Sequence, residues 1–181
     1  PVIYLIFSKG YIADKVWDYF AKEGVTTAVI DLGGNIVVMG GSPARNGVAW
    51  NVGIQDPVES RGTTLGTILE KDKTIVTSGI YERYLKVDNQ VYHHILNPKT
   101  GYPYETNIEG VSVIVNRSTK GDALSTSMFS VGVKEGLEYA NSHKDVDVIF
   151  VTKDKKVYVS DSIKETFKLT NGALELKESI E

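Results

Sequence analysis

The sequence predicts an α+β fold, with antiparallel-rich sheets and about three helices in a single domain. Three observations predict it. Short apolar or β-branched runs recur in pairs around polar turns, which is the pattern of hairpins. Helical spacing of apolar residues shows in only three segments. Strands and helices do not alternate regularly, so a parallel βαβ array is not expected. The 181 residues fit one domain, at most with a small appendage, and no stretch rich in Pro, Gly or Ser divides them.

The elements follow in order. Residues 2–7 form an apolar run that predicts a strand. The run is far short of the roughly 20 residues that span a bilayer, and it lacks the basic flank and cleavage site of a signal peptide. It opens abruptly, so an upstream part is expected to be missing. Residues 9–23 place Ile12, Val16, Tyr19 and Phe20 on one helical face, and Gly24 stands where a helix C-terminus takes a left-handed residue. Residues 26–32 and 35–39 are strands broken by Gly33-Gly34. Residues 48–54 form another strand, and a polar turn follows over 55–62. Residues 65–69 and 73–78 are two short strands around the turn Lys71-Asp72, and residues 83–87 and 90–96 flank Asp88-Asn89 in a hairpin pattern. Residues 97–107 hold two prolines and a glycine, which predicts an ordered loop. A strand over 111–115 precedes a helix over 119–130, where Thr119-x-x-Asp122 has the pattern of a capping box. Gly132 separates that helix from another over 134–142, and strands over 146–151, 157–160 and 166–169 complete the chain.

Composition narrows the chemistry. The 20 Lys and Arg against 23 Asp and Glu leave a net charge of −3, which exerts no general pull on nucleic acid or an anionic membrane. A phosphate-bearing ligand would need local donors or a bound cation. The absence of cysteine excludes disulfides, thiolate metal sites and cysteine nucleophiles.

Four clusters could carry chemistry. In Asp31-Leu32-Gly33-Gly34-Asn35 the glycines allow a ligand close to backbone amides, or simply make a tight turn. Thr77-Ser78-Gly79-Ile80-Tyr81-Glu82-Arg83-Tyr84 gathers hydroxyls, an amide-rich turn, a cation and an aromatic ring, which suit phosphate and a flat heterocycle, or equally a plain β-turn. His93 and His94 precede the rigid loop Asn97-Pro98-Lys99-Thr100-Gly101-Tyr102-Pro103. Strand neighbours point to opposite faces, so at most one of the two histidines faces a given pocket, where it could act as acid or base. Asp122 and Thr126 lie four residues apart on a helix, and can present a carboxylate and a hydroxyl to one hard cation, Mg²⁺ or Ca²⁺. Helix capping by Asp122 is the bland alternative. The combination suits phosphoryl chemistry on a nucleotide-like ligand. Neither a Walker-type loop nor a Rossmann fingerprint is present.

The motifs Ser8-Lys9-Gly10-Tyr11 with Asp14, Asp31-Leu32-Gly33-Gly34-Asn35, Ser78-Gly79-x-Tyr81-Glu82-Arg83, His93-His94-Ile95-Leu96-Asn97-Pro98-Lys99-Thr100-Gly101-Tyr102-Pro103 and Asp122-Ala123-Leu124-Ser125-Thr126 together resemble the ApbE family of FAD:protein FMN transferases. The resemblance implies a T-fold-like α+β domain, of which residues 1–181 would be the C-terminal portion. It implies Mg²⁺-dependent cleavage of FAD, transfer of FMN to a Thr or Ser hydroxyl of an acceptor flavoprotein, and release of AMP. It assigns the metal to Asp122, Thr126 and the main-chain carbonyl of Ser8, and chemistry to His94 and Asp122. It assigns cofactor contacts to Lys9, Gly33, Gly34, Asn35, Ser78, Gly79, Tyr81, His94, Pro98, Thr100 and Gly101. Asn97 departs from the Asp that many members carry there. The family resemblance also implies an extracytoplasmic protein, membrane-anchored as a lipoprotein in its full-length form. Two other outcomes remain open: a flavin-binding or partner-docking module without turnover, and a pyrophosphatase that yields FMN and AMP.

Overall fold

Burial along two neighbouring strands sets the centre of the fold. The computed structural model describes residues 7–60, 62–80, 84–88 and 90–180. Expectations for residues 2–6, for Tyr81 and its neighbours at 82 and 83, and for Asn89 lie outside the described residues. In chain order the elements are α1 (Ser8–Lys22), β1 (Ala28–Asp31), β2 (Asn35–Met39), β3 (Trp50–Gln55), β4 (Thr64–Glu70), β5 (Lys73–Gly79), β6 (Tyr84–Val87), β7 (Gln90–His93), β8 (Ile108–Val115), α2 (Ser118–Val131), α3 (Val133–Ser142), β9 (Val146–Thr152), β10 (Lys156–Val159), β11 (Phe167–Leu169) and β12 (Glu175–Lys177).

Successive strand residues face opposite sides. On β8 and β9, Val111, Val113, Val115, Val146, Val148 and Phe150 therefore share one face and pack on Met128 and Phe129 of α2 and Ala140 of α3. Ile114, Ile149 and Val151 point the other way, into a cluster with Val52, Ile54, Leu65, Ile68 and Phe167 of a second sheet. Covering on both faces is why these strands appear in the sequence as nearly unbroken apolar runs. The large sheet runs β1-β2-β5-β8-β9-β10-β12, and the second runs β11-β4-β3. Neighbours pair antiparallel, except β10 and β12, which are parallel. β6 and β7 form a separate hairpin. No helix among the described residues is long and apolar enough to cross a membrane.

The α+β class matches the expectation and β6–β7 is a hairpin as expected, whereas β4 and β5, adjacent in the chain, turn away from each other into different sheets. Several further details differ. The inward face of α1 is Ala13, with Val16, Trp17 and Phe20, against Ile30, Val37 and Met39 of β1 and β2. Ile12 and Tyr19 are instead 51% and 60% exposed. The smaller Ala13 lets the helix lie close to the sheet, and the face rotates accordingly. The C-terminus of α1 is a Schellman turn, with Gly24 at φ +79° and the bonds Gly24 N–H to Ala21 O and Val25 N–H to Phe20 O. No capping box forms on α2, because Arg117 is its N-cap and no side-chain bond is made there by that residue. β7 stops at His93, and Leu96 makes only an isolated bridge to Pro103. β12 was not foreseen: it is short and charged, and its alignment comes from β10 rather than from an apolar pattern.

Candidate functional site

The N-termini of α1 and α2 meet, and the meeting gathers most of the predicted residues. The first amides of a helix lack intrahelical acceptors, and Phe7, the N-cap of α1, has no side-chain acceptor to offer. Asp122 supplies one: its Oδ2 accepts the Gly10 N–H at 2.6 Å. A Cβ at position 10 would run into the Ser118 carbonyl and the Asp122 carboxylate, so only glycine permits this approach. Asn35, the first residue of β2, donates through Nδ2 to Asp122 Oδ1 at 2.8 Å and to Ser118 Oγ at 3.2 Å. The preceding turn brings it there. Gly33 and Gly34 take φ of +64° and +105°, and both donate their amides to Asp31 Oδ1, at 2.9 and 3.4 Å. The carbonyl of Gly33 accepts the Lys9 ammonium at 3.1 Å.

From α1, Asp14 accepts the Ser118 N–H at 2.7 Å, the Thr119 N–H at 3.0 Å and the Thr119 hydroxyl at 2.6 Å. Arg117 approaches Asp14 at 3.5 Å and donates two bonds to Asp18, at 2.8 and 3.0 Å. Deeper along α2, Ser78 of β5 donates to Ser125 Oγ at 2.9 Å, and Ser125 donates to the Asp122 carbonyl at 3.2 Å. Gly79, the last residue of β5, is buried beside it in sequence. The Thr126 hydroxyl turns back to the same Asp122 carbonyl at 3.5 Å, a weak bond.

Asp122 is buried, and burial pushes its carboxyl above the ordinary carboxylate range. The bonds from Asn35 and Gly10 and the charge of Lys9 oppose that shift, while Asp14 adds to it. The result is a carboxylate held by neutral donors in a setting that disfavours its charge, and a cation would offset that cost. Each carboxylate oxygen has a second lone pair beyond the one that its bond to Gly10 or Asn35 uses. Among the described residues no three His, Asp or Glu side chains gather as a metal cluster. A cation here would take one carboxylate plus hydroxyl and main-chain oxygens. Asp122, Thr126 one turn later, and the carbonyl of Ser8 at the start of α1 are all hard donors, and they fit Mg²⁺, which commonly keeps few protein ligands.

The histidines form a second group. His93 is buried at the end of β7, with its ring edge-on to Phe129 at 5.7 Å. Its Nε2 donates to the Tyr104 carbonyl at 3.1 Å, and its Nδ1 accepts the Ile95 N–H at 3.3 Å. These partners place the proton on Nε2, and burial holds its pKa below the ordinary value. His94 is exposed in the bend that follows. Beyond it, Asn97 organises the loop: its Oδ1 accepts the Lys99 N–H at 2.9 Å and its carbonyl accepts the Gly101 N–H at 2.8 Å. The amide oxygen of Asn97 thus does what an Asp carboxylate would do at that turn. Pro98, Thr100 and Gly101 lie exposed on it. A cavity of about 280 Å³ opens beside His93, lined by Tyr92, Tyr102, Tyr104, Glu105 and Lys153 among others.

Ser8, Lys9, Gly33, Asn35, Ser78, Asp122 and Thr126 thus belong to the helix junction, and His94, Pro98, Thr100 and Gly101 to the loop group. α2 spans both, with Asp122 at the junction and Phe129 against His93. Sequence reasoning assigned no role to Asp14 and did not single out Ser118. The available signal was the pair of helix starts behind Phe7 and Arg117, neither a capping residue.

The model of the ApbE family matches residues 7–150. The FAD:protein FMN transferase of Klebsiella pneumoniae (strain 342) is 37% identical over 153 residues, covering 84% of this chain and 46% of that protein. That of Treponema pallidum (strain Nichols) is 34% identical over 176 residues, covering 94% and 49%. Among solved structures, the ApbE protein of Thermotoga maritima superposes with a TM-score of 0.75 at 29% identity, over 87% of this chain and 50% of that one. The flavin transferase ApbE of Vibrio cholerae does so with 0.71 at 30%, over 87% and 50%. The chain spans about half the length of the curated relatives it matches. The matched stretch includes the helix junction, the histidine loop, the central strand β8 and most of β9, and the chain belongs to the ApbE family.

Proposed function

We infer that this chain carries part of the site of an FAD:protein FMN transferase, as the C-terminal portion of such a domain. The observation that carries the reading is Asp122: a buried carboxylate, fixed by Gly10 and Asn35, with a hydroxyl one helical turn away. Asp122, Thr126 and the Ser8 carbonyl would hold Mg²⁺, which when bound neutralises charge on a pyrophosphate. In the overall reaction an acceptor Thr or Ser oxygen forms a bond to the FMN phosphorus, the pyrophosphate P–O bond breaks, and AMP leaves with the electron pair. His94, exposed beside its loop, takes the proton of the acceptor hydroxyl. His93 keeps the end of β7 in shape through its bonds to Tyr104 and Ile95, and does not exchange protons with substrate. Lys9 is exposed and presents its ammonium beside the Gly33-Gly34 turn, where a phosphate oxygen can replace the Gly33 carbonyl. By the same family reading the protein works outside the cytoplasm, anchored to the membrane.

The test incubates the chain with FAD, Mg²⁺ and an acceptor flavoprotein domain, then measures flavin fluorescence on the denatured acceptor together with AMP. Labelled acceptor and AMP are expected. Asp122→Ala should abolish both while circular dichroism is unchanged. His94→Ala should slow transfer about 10²–10⁴-fold, the usual worth of general acid–base help, with a smaller effect on FAD binding. AMP without labelled acceptor would make the chain a pyrophosphatase, and FAD held without AMP would make it a binding module.

A further inference from the structure

We propose that Asp14 is the positioning residue of Asp122: the carboxylates cap each other's helices, and the two caps hold as one unit. Its functional meaning rests on the reading of Asp122 as a metal-site carboxylate, while the geometry stands without that reading. Neither helix supplies its own cap. Phe7 and Arg117 stand at the N-cap positions, no side chain there bonds a helix amide, and neither first turn carries an acid. The acceptors come from the opposite helix. Asp122 of α2 accepts the N–H of Gly10, the third residue of α1. Asp14 of α1 accepts the N–H groups of Ser118 and Thr119, the first two residues of α2.

The arrangement has an approximate two-fold character. Gly10 and Asp14 lie one turn apart on α1, and Ser118 and Asp122 lie one turn apart on α2. Each helix therefore shows a donor and an acceptor on one face, and each carboxylate meets the positive end of the other helix dipole. Asp122 cannot move without α2, and α2 cannot slide without breaking the three bonds of Asp14, the Thr119 hydroxyl included. Asp14 is itself held by Arg117, whose guanidinium also binds Asp18. The bare Gly10 brings the two helix ends close enough for both caps to close together. Asp14 touches no atom of the proposed chemistry, and acts by fixing where the Asp122 carboxylate stands.

The experiment uses the ¹⁵N-labelled chain with Mn²⁺ alone as probe. The 2.6 Å bond to a carboxylate should give the Gly10 amide a downfield, slowly exchanging signal. Asp14→Asn keeps the shape but puts a donor where Thr119 needs an acceptor. It should move the Gly10 signal upfield, speed its exchange and raise the Kd for Mn²⁺ about 10–100-fold, with circular dichroism unchanged. The reciprocal Asp122→Asn should deprotect the Ser118 and Thr119 amides. A wild-type Gly10 signal and Mn²⁺ affinity in Asp14→Asn, with only Ser118 and Thr119 disturbed, would reduce Asp14 to an ordinary cap and overturn the proposal. If that variant does not fold, Thr119→Val removes one bond of the unit, and an unmoved Gly10 signal there overturns it equally. A wild-type chain that binds no Mn²⁺ removes the metal reading, and the Gly10 signal then decides the positioning role by itself.

Discussion

The β8–β9 pair and the α1–α2 junction are both buried, yet different forces hold them. In the strand pair the backbone bonds run along the ladder, and the side chains Val113, Val148 and Phe150 lie in an apolar cluster. In the junction the buried side chains are polar: Asp14, Asn35, Ser118 and Asp122. Each is bonded, and among the described residues no buried side-chain nitrogen or oxygen lacks a partner. Apolar contacts are non-directional and tolerate small displacements. A buried polar atom that loses its partner bears the desolvation penalty in full. The strand pair stores stability, and the junction stores position.

Substitutions should separate the two. The largest loss is expected from Phe150→Ala, which opens a cavity among Met128, Gly136 and the neighbouring strand residues. Urea unfolding should show a drop of about 3–5 kcal/mol, and the Gly10 amide should still be bonded to Asp122 in the folded fraction. A drop below about 1 kcal/mol would show that the sheet interior is not the main store of stability. Next comes Asn35→Leu, which keeps the branched heavy-atom shape but removes the donor to Asp122 and to Ser118. It should cost about 1–3 kcal/mol and weaken Mn²⁺ binding about 10–100-fold. Lost stability with intact Mn²⁺ affinity would make the junction structural only.

The smallest effect concerns His93. Its unfolded pKa is 6.5, and burial lowers the folded value. Between the two values the unfolded chain binds more protons, so this histidine's contribution to stability is present above pH 6.5 and is lost as pH falls toward the folded pKa. Melting temperatures across this range should decline on acidification, and the decline should be shallower in His93→Gln. Parallel curves for the two chains would show that His93 is not the group responsible.

What was legible in the sequence follows the same division. The runs that became β8 and β9 show in the composition of each segment, and the left-handed Gly24 is announced by its place after a helical period. The face of α1 is less legible, because Ile12 and Tyr19 are more apolar or larger than Ala13, although the small residue is the one that lies against the sheet. Thr119 and Asp122 have the spacing of a local cap, yet each bonds the other helix. A partner so distant in sequence leaves no trace in local spacing. His94 and Asp122 were singled out by their motifs. Asn35 was assigned to the cofactor by its place after two glycines, and only the three-dimensional arrangement reveals its bond to Asp122.

The crossed caps also bear on how the chain folds. Gly10 and Asp122 are 112 residues apart, and Asp14 and Ser118 are 104 apart. Closing loops of that length costs entropy before any bond forms, and neither helix gains its side-chain cap until the other has arrived. Hairpins such as β3–β4 face no such delay. The junction is therefore expected to assemble late, on the native side of the barrier, with φ-values near zero at Asp14 and Asp122. Removing a cap should steepen escape from the native state, visible in the unfolding arm of a chevron plot, while the folding arm stays in place. The contribution of the two carboxylates is then to the lifetime of the folded chain rather than to the speed of its formation.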